Sequence, residues 1–307
     1  MITLFKRKKT IVAHNGSFHA DDIFACATLS LYLEAQKQPF KIVRTRDEPI
    51  INAADYVVDV GGIYDSENNR FDHHQQGGAG KRENGIPYAS FGLVWKKFGP
   101  ILCNNQLIAD DIDRRMAQPI DAIDNGISIS EPTDSGLCDY GMYGIVGAYQ
   151  NTWKEAGNTA GQLDNFLYLV NFFKKLLVRE IDRSRHRLDM VETIQGIYDQ
   201  SENTEILEIP HHVTVGALSQ VLDKYKEVMF IVSKSNTNWK ALAMRKESCS
   251  FENRKSLPEA WAGKRGQELA TITGVPDAIF CHNARFMAVA ESREGARKLA
   301  ELALNKK

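Results

Sequence analysis

The chain has few cysteines and no arrangement that would use them together. Its five, Cys26, Cys103, Cys138, Cys249 and Cys281, are odd in number, and no two are spaced as C-x-x-C. A disulfide framework and a zinc knuckle are therefore not expected, and a reducing, cytoplasmic compartment is. Long apolar runs are also lacking. No stretch of about 18 apolar residues occurs, so no membrane span or membrane partner is expected. Net charge is nearly absent at −1, which removes any global electrostatic case for nucleic acid. The basic "KRKK" at 6–9 has no apolar signal-peptide stretch behind it and reads as a solvated lead-in to a strand. Internal repeats and low-complexity tracts are missing too.

What remains is ordinary globular composition, 43% hydrophobic and 25% charged over 307 residues. That length exceeds one average domain, and three segments are expected: a metal-binding catalytic domain at 1–160, a helical linker at 161–203 and a smaller domain at 204–307. Charge is uneven between the ends. Residues 1–160 carry 16 Lys and Arg against 20 Asp and Glu, net −4, and residues 161–307 carry 22 against 19, net +3. "TIVAH" (10–14), "FKIVRTR" (40–46), "YVVDVGG" (56–62) and "NRFDHHQ" (69–75) read as strands. Residues 21–36 read as a helix carrying Asp21 and Asp22 where negative charge is favoured. A helix through 90–99 takes Ser90 as its cap, and the helical stretch 107–126 is expected to kink at Pro119. The alternation predicts an α/β fold, mainly a parallel sheet flanked by helices. Beyond the long helix 163–200, strands are expected at "TEILEIP", "HHVTVGAL", "EVMFIVSK" and "NWKALAMR".

In open α/β sheets, ligands gather outside the carboxyl ends of the strands. Histidines and aspartates fall there repeatedly: His14, then His19 and Asp21, then Asp59, then Asp72, His73 and His74, with Asp124 at the close of a helix. Carboxylates and imidazoles without thiolates suit Mn²⁺, with Mg²⁺ or Co²⁺ as alternatives. Six donors suit two ions sharing one carboxylate. The expected division gives one ion His14, His19 and Asp59, and the other Asp21, Asp59, His73 and Asp124. Neighbouring side chains on an extended segment point opposite ways, so His73 would ligate while His74 reaches the substrate. Asp72 would orient an imidazole. Such a pair of ions suits phosphate ester hydrolysis.

"DHH" at 72–74 resembles the signature of the DHH phosphoesterase superfamily. "HNGSFHADD", "FDHHQ", "AIDNGI", "FENRKSLPEAWAG" and "IFCHNARFMAVAES" are similar to the Myg1 (melanocyte proliferating gene 1) branch, from residue 14 to 291. The resemblance implies a DHH-type phosphoesterase fold with the smaller C-terminal α/β domain holding substrate across a cleft. It also implies metal-dependent 3'–5' exonuclease activity on single-stranded RNA. The first cluster departs from the usual H-x-x-x-D-x-D of the wider superfamily, having His14, His19 and Asp21 instead.

For the substrate, His282 and Arg285 stand on a tight connection, and Arg254, Lys264 and Arg265 are further basic groups suited to phosphate. Trp239 and Trp261 read as core residues. "PHH" at 210–212 has no acidic company and reads as a strand entry. "GGAGKRENG" (77–85) lacks the phosphate-loop pattern and reads as a mobile loop near the cleft. Two alternatives to an RNA exonuclease stay open. One is a phosphohydrolase of small substrates (an oligoribonucleotide, a cyclic dinucleotide or pyrophosphate), and the other is a non-catalytic protein with a structural metal site. A homodimer is compatible with the sequence.

Overall fold

A computed structural model of the chain describes residues 6–130, 136–137, 139–213, 218, 221–247 and 250–306. Cys138 and Cys249 lie outside these, as do residues 214–217 of the expected strand at 211–218. The chain divides into two compact units, residues 1–185 and 186–307. The division falls inside the helix Thr159–Asp199 rather than after it.

The first unit contains β1 (Lys9–Ala13), α1 (Ala20–Ala35), β2 (Phe40–Arg44), α2 (Glu48–Ala53), β3 (Tyr56–Val58), β4 (Tyr64–Asp65) and β5 (Arg70–Phe71). These strands form one sheet in the order β2-β1-β3-β5-β4. All neighbours are parallel except β4, which runs antiparallel to β5. The mainly parallel α/β fold expected from the alternation is the one observed. The strands are short and apolar because the sheet is covered on both faces. On one side Val12 and Val57 pack with Ile51 of α2 and with Ala54 just beyond it. On the other lies α1, whose Phe24 stacks on Phe91 of α3 (Ser90–Cys103) and on Phe173 of α7 (Thr159–Asp199).

The chain leaves β1, returns as β2 on one side of it, and then crosses to place β3 on the other side. That reversal makes a crevice beyond the carboxyl ends of β1 and β3. Because β1, β3 and β5 are mutually parallel, His14, Asp59 and Asp72–His73 emerge at the same end of the sheet. Between α3 and the helices that close the site, the chain forms α4 (Gln106–Ile112), a π-helical turn (Asp113–Ala117) and α5 (Gln118–Asp124). The kink expected at Pro119 takes this form. Proline lacks an N–H and crowds the preceding turn, and a wider i→i+5 turn just before it relieves both. Helix α6 (Gly141–Ala148) comes next.

The second unit has a sheet in the order β6-β7-β8-β10-β9: β6 (Ile206–Ile209), β7 (Phe230–Lys234), β8 (Trp239–Ala243), β9 (Ala278–Cys281) and β10 (Met287–Ala290). Only β6 and β7 are parallel. Period-2 alternation sends Phe230 and Val232 to one face, against Leu299 and Ala300 of the C-terminal helix Arg293–Asn305. Ile231 and Leu242 face the other way, against Ile194 of α7. Trp261 is fully buried and Trp239 packs against the same core. The strand expected at 211–218 is not formed by its described residues. His211 to Val213 are irregular and Leu218 is helical.

Candidate metal centre

The site grows from three strand ends. His14 follows β1 and is nearly fully buried. Its Nδ1 lies 3.0 Å from the carbonyl oxygen of Asn15. A carbonyl only accepts, so Nδ1 carries a proton and Nε2 is the nitrogen turned into the crevice. That Nε2 lies 3.1 Å from Asp22 Oδ2 and 3.2 Å from Asp59 Oδ2.

Asp59 follows β3 with φ of +54°, in the left-handed region that few non-glycine residues enter. Its N–H still donates to Phe71 O at 3.1 Å, continuing the β3–β5 ladder. The strained backbone thus turns a strand-end carboxylate into the crevice without breaking the sheet. Opposite, His73 Nε2 sits 3.4 Å from Asp59 Oδ1 and 3.1 Å from Asp124 Oδ2.

His73 Nε2 and Asp22 Oδ2 are buried, close to oppositely charged atoms, and yet make no hydrogen bond of acceptable direction. Orphaned buried polar atoms are costly, and a cation within reach of each removes the cost. Among the described residues, donor atoms cluster within 4.8 Å of one another in three groups: His14, His19 and Asp59; Asp59, His73 and His74; and Asp21, His73 and Asp124. Asp59 belongs to the first two and His73 to the last two. The donors are imidazoles and carboxylates with no thiolate, so the residues fit hard-to-borderline divalent ions. All six expected ligands fall in these groups. His19 is the exposed member, standing at the N-cap of α1 with its ring 5.8 Å from that of His14.

The electrostatics agree. Asp21, Asp22, Asp59 and Asp72 are buried together. Burial, then the charges of Asp124 and Asp59, pushes Asp21 well above the usual carboxylate range. Burial also raises Asp22. For Asp59 burial acts in the same sense, but His14 and His73 outweigh it and hold the group far below the usual range. Burial alone would lower the two imidazoles. Asp22 and Asp59 instead raise His14 to about 10, and Asp124 and Asp59 raise His73 to about 11. The crevice therefore demands positive charge, and protons supply it where cations do not.

Asp72 organises the D-H-H segment. Its Oδ1 accepts from His73 N at 2.8 Å, His74 N at 3.1 Å and His74 Nδ1 at 2.7 Å, and its Oδ2 accepts from Gly62 N. This overturns the expectation that His73 and His74 point opposite ways. Strand β5 ends at Phe71, and the Asp72 carboxylate folds residues 72–74 into a turn. The two rings lie 4.4 Å apart, with His74 Nδ1 3.5 Å from Asp59 Oδ1. His74 is the exposed one of the pair.

Asp21 does more than ligate. Its oxygens accept from Ser90 N at 3.0 Å and Phe91 N at 2.6 Å, while Asp121 Oδ1 accepts from Gly92 N at 3.0 Å. Two buried carboxylates thus cap α3 from outside, where Ser90 was expected to do so. Ser90 is instead the first helical residue, and its hydroxyl reaches Asp59 Oδ1 at 3.3 Å. Asp121 is pushed up to about 7 by burial, against the pull of Arg82, whose Nη1 lies 2.8 Å away. Arg82 also grips Asp113 at 2.7 Å. The loop 77–85, expected to be mobile, is therefore pinned by a buried arginine.

Sequence reading missed Asp22, Ser90 and the Arg82–Asp121 pair. The adjacent carboxylates of "ADD" were one available signal. Consecutive residues on a helix face about 100° apart, so Asp21 and Asp22 must meet different neighbours. The i, i+3 spacing of Asp121 and Asp124 was another.

In the second unit, Arg254 has a structural role in place of the expected phosphate contact. Four of its five N–H groups go to the carbonyls of Arg245, Tyr225, Val228 and Leu222. Lys264 pairs with Glu268, and Arg265 lies over the ring of Phe280 at 4.5 Å. His282 accepts from Ala284 N at 3.0 Å, and Arg285 adopts φ of +56° with its N–H on His282 O, which closes a tight turn.

The model of the MYG1_exonuc family, described as uncharacterised protein family UPF0160, matches residues 10–304. The mouse MYG1 exonuclease is 31% identical, covering 96% of this chain and 84% of its own length. The human MYG1 exonuclease is 30% identical over 96% and 85%, and a MYG1 protein of Saccharomyces cerevisiae is 30% identical over 97% and 96%. Among solved structures, RecJ with Mn²⁺ from Thermus thermophilus aligns at 14% identity over 97% of this chain and 52% of that one. Its TM-score of 0.29 is too slight a likeness to argue from. Family match and identity, each spanning nearly all of the sequence, are enough: the chain belongs to the MYG1 exonuclease family.

Proposed function

We propose that the protein is a metal-dependent exonuclease that shortens single-stranded RNA from its 3' end with two divalent ions, Mn²⁺ by preference. One observation carries the reading. His14 after β1 and His73 after β5 converge on Asp59, and Asp124 of α5 reaches His73, while His73 Nε2 and Asp22 Oδ2 are left without hydrogen bonds. His14, His19 and Asp59 would hold one ion, and Asp21, Asp59, His73 and Asp124 the other. Bound there, the ions supply charge to the phosphoryl oxygens and make water acidic near neutral pH. The site matches the DHH reading of the sequence, and relatives named exonucleases support hydrolysis of a nucleic acid.

The protein's own residues position and transfer protons. Asp72 binds His74 at Nδ1, which leaves Nε2 free towards solvent at the mouth of a cleft of about 350 Å³. The Asp72 hydrogen bond raises His74 above its ordinary value, against a smaller lowering by burial. His74 is thereby placed to donate a proton to a phosphoryl oxygen or a departing alkoxide. Ser90 holds Asp59 by its hydroxyl. His282 and Arg285 are the groups of the second unit assigned to RNA.

The test is RNA labelled at either end and incubated with Mn²⁺. Digestion from the 3' end gives 5'-labelled products shortening one nucleotide at a time and early release of a 3'-label as mononucleotide. Consumption of only dinucleotides or pyrophosphate would replace this reading with the small-substrate one. The proposal includes a cytoplasmic setting, in keeping with buried free thiols at Cys26, Cys103 and Cys281, and a homodimer. Cell fractionation and light scattering check these two points.

A further inference from the structure

Next to the metal cleft lies a larger cavity of about 960 Å³, between the end of β2, the loop after β1 and the first turn of α7. The two share His14, His19 and Arg46, so one runs into the other past the metal ligands. Arg44 and Arg46 are the basic residues of its wall, and they are used differently. Arg44 is held in place. Its Nη2 donates to Gly16 O at 2.8 Å, and its guanidinium lies 5.2 and 4.6 Å from the ring centroids of Phe18 and Phe166. Arg46 is exposed and has no hydrogen bond or ion pair to its guanidinium among the described residues.

A free guanidinium beside a cluster of buried carboxylates needs a reason. The acidic centre repels a polyanion, and a cation at its rim offsets that repulsion where substrate enters. The rest of the wall suits a nucleoside. Ile42 and Leu163 give apolar surface, and Asn15 and Gln162 give hydrogen-bonding groups. Apolar surface with a few polar groups and one arginine fork is the chemistry that holds a nucleotide by its phosphate and its base.

We propose that this cavity is a nucleotide subsite for the RNA residue adjoining the bond to be cut, with the Arg46 guanidinium on its backbone phosphate. The inference rests on the exonuclease reading and adds a substrate contact within the first unit. Arg44 is a positioning residue that fixes the Gly16 loop beneath the subsite. A volume of 960 Å³ beside a metal cleft of 350 Å³ favours a chain of nucleotides over pyrophosphate.

The experiment uses the full chain and a fluorescein-labelled single-stranded RNA, read by anisotropy in EDTA over a range of salt. Wild type is expected to bind with a negative slope of log K against log salt. Arg46→Ala is expected to bind about tenfold more weakly and to lose about 0.7 from that slope, the share of one phosphate contact on a single strand. Arg46→Lys should regain the slope but not all of the affinity. Ala160→Trp, which fills the cavity from α7 without touching charge, should weaken binding and leave the slope unchanged. Manganese content measured in parallel is expected to be the same in all four proteins. Equal affinity in wild type and Arg46→Ala, or no RNA binding by wild type in EDTA, overturns the subsite. Failure of wild type to digest RNA with Mn²⁺ overturns the exonuclease reading, a separate measurement.

Discussion

Replacing Asp59 with asparagine removes one negative charge and changes little else. The residue sits at φ of +54°, and asparagine tolerates that region better than most side chains, so the backbone keeps its course. The shape is nearly preserved as well. What is lost is the carboxylate that stands 3.2 Å from His14 Nε2 and 3.4 Å from His73 Nε2, between two groups of donors. At an effective dielectric near 20, a unit pair about 4 Å apart is worth about 4 kcal/mol. An ion sharing Asp59 would be doubly charged, while desolvation of the carboxylate offsets part of that gain, so about 4 kcal/mol is taken for each ion. That corresponds to a dissociation constant roughly 10³-fold weaker for each. Manganese retained after desalting should fall from about two ions per chain to a small fraction of one. A thermal melt gives a second reading. Wild type should gain about 2.7 kcal/mol of stability at a Mn²⁺ concentration 100 times its dissociation constant, and the variant almost none. If Asp59→Asn keeps its manganese and the same thermal shift, Asp59 is not the shared ligand.

Three further outcomes rest on the same geometry. His74→Ala should lower the turnover number for RNA by about 10²–10⁴-fold, the usual worth of a proton donor. Its manganese content should not change, and loss of metal would instead make His74 a ligand. Gly92→Ala would place a methyl 1.8 Å from Asp121 Oδ2 and 2.5 Å from Arg82 Nη2, inside the packed start of α3. A destabilisation of about 1–3 kcal/mol is expected in urea, and an unchanged midpoint would deny the close approach. In the metal-free protein, His14 and His73 rise from 6.5 to about 10 and about 11, so the folded state binds extra protons between those values. Their contribution to stability is full below pH 6.5 and is lost as pH climbs through 10 to 11. Metal takes the place of those protons, so Mn²⁺ binding at pH 7 should release about two protons per chain. Calorimetry in buffers of differing ionisation heat counts them, and a release of zero contradicts the assignment.

Much of this site was readable in one dimension. His14, Asp59 and the D-H-H segment each come after a short apolar run with strand character, and parallel strands bring their carboxyl ends to one edge. Residue type then says what gathers there. Other features could not be read that way. Arg254 looks like a phosphate ligand because arginines usually face solvent, yet it is spent on carbonyls of segments 9 to 32 residues away. The alternation that was to separate His73 from His74 failed because strand β5 is two residues long and the Asp72 side chain bends the backbone beyond it. Ser90 was expected as a cap, but the caps come from Asp21 and Asp121, 69 and 29 residues distant from the amides they accept.

The α/β alternation of the first unit, the donor types and their places at strand ends were determined by the sequence alone, because backbone preference and period-2 or period-3.6 patterning are local. Which carboxylate faces which imidazole, which arginine is spent and which is free, and that Asp59 is bent into the crevice were decided only by the tertiary structure. Those outcomes depend on distances between segments tens of residues apart and on burial, which turns an ordinary surface charge into one that must find a partner.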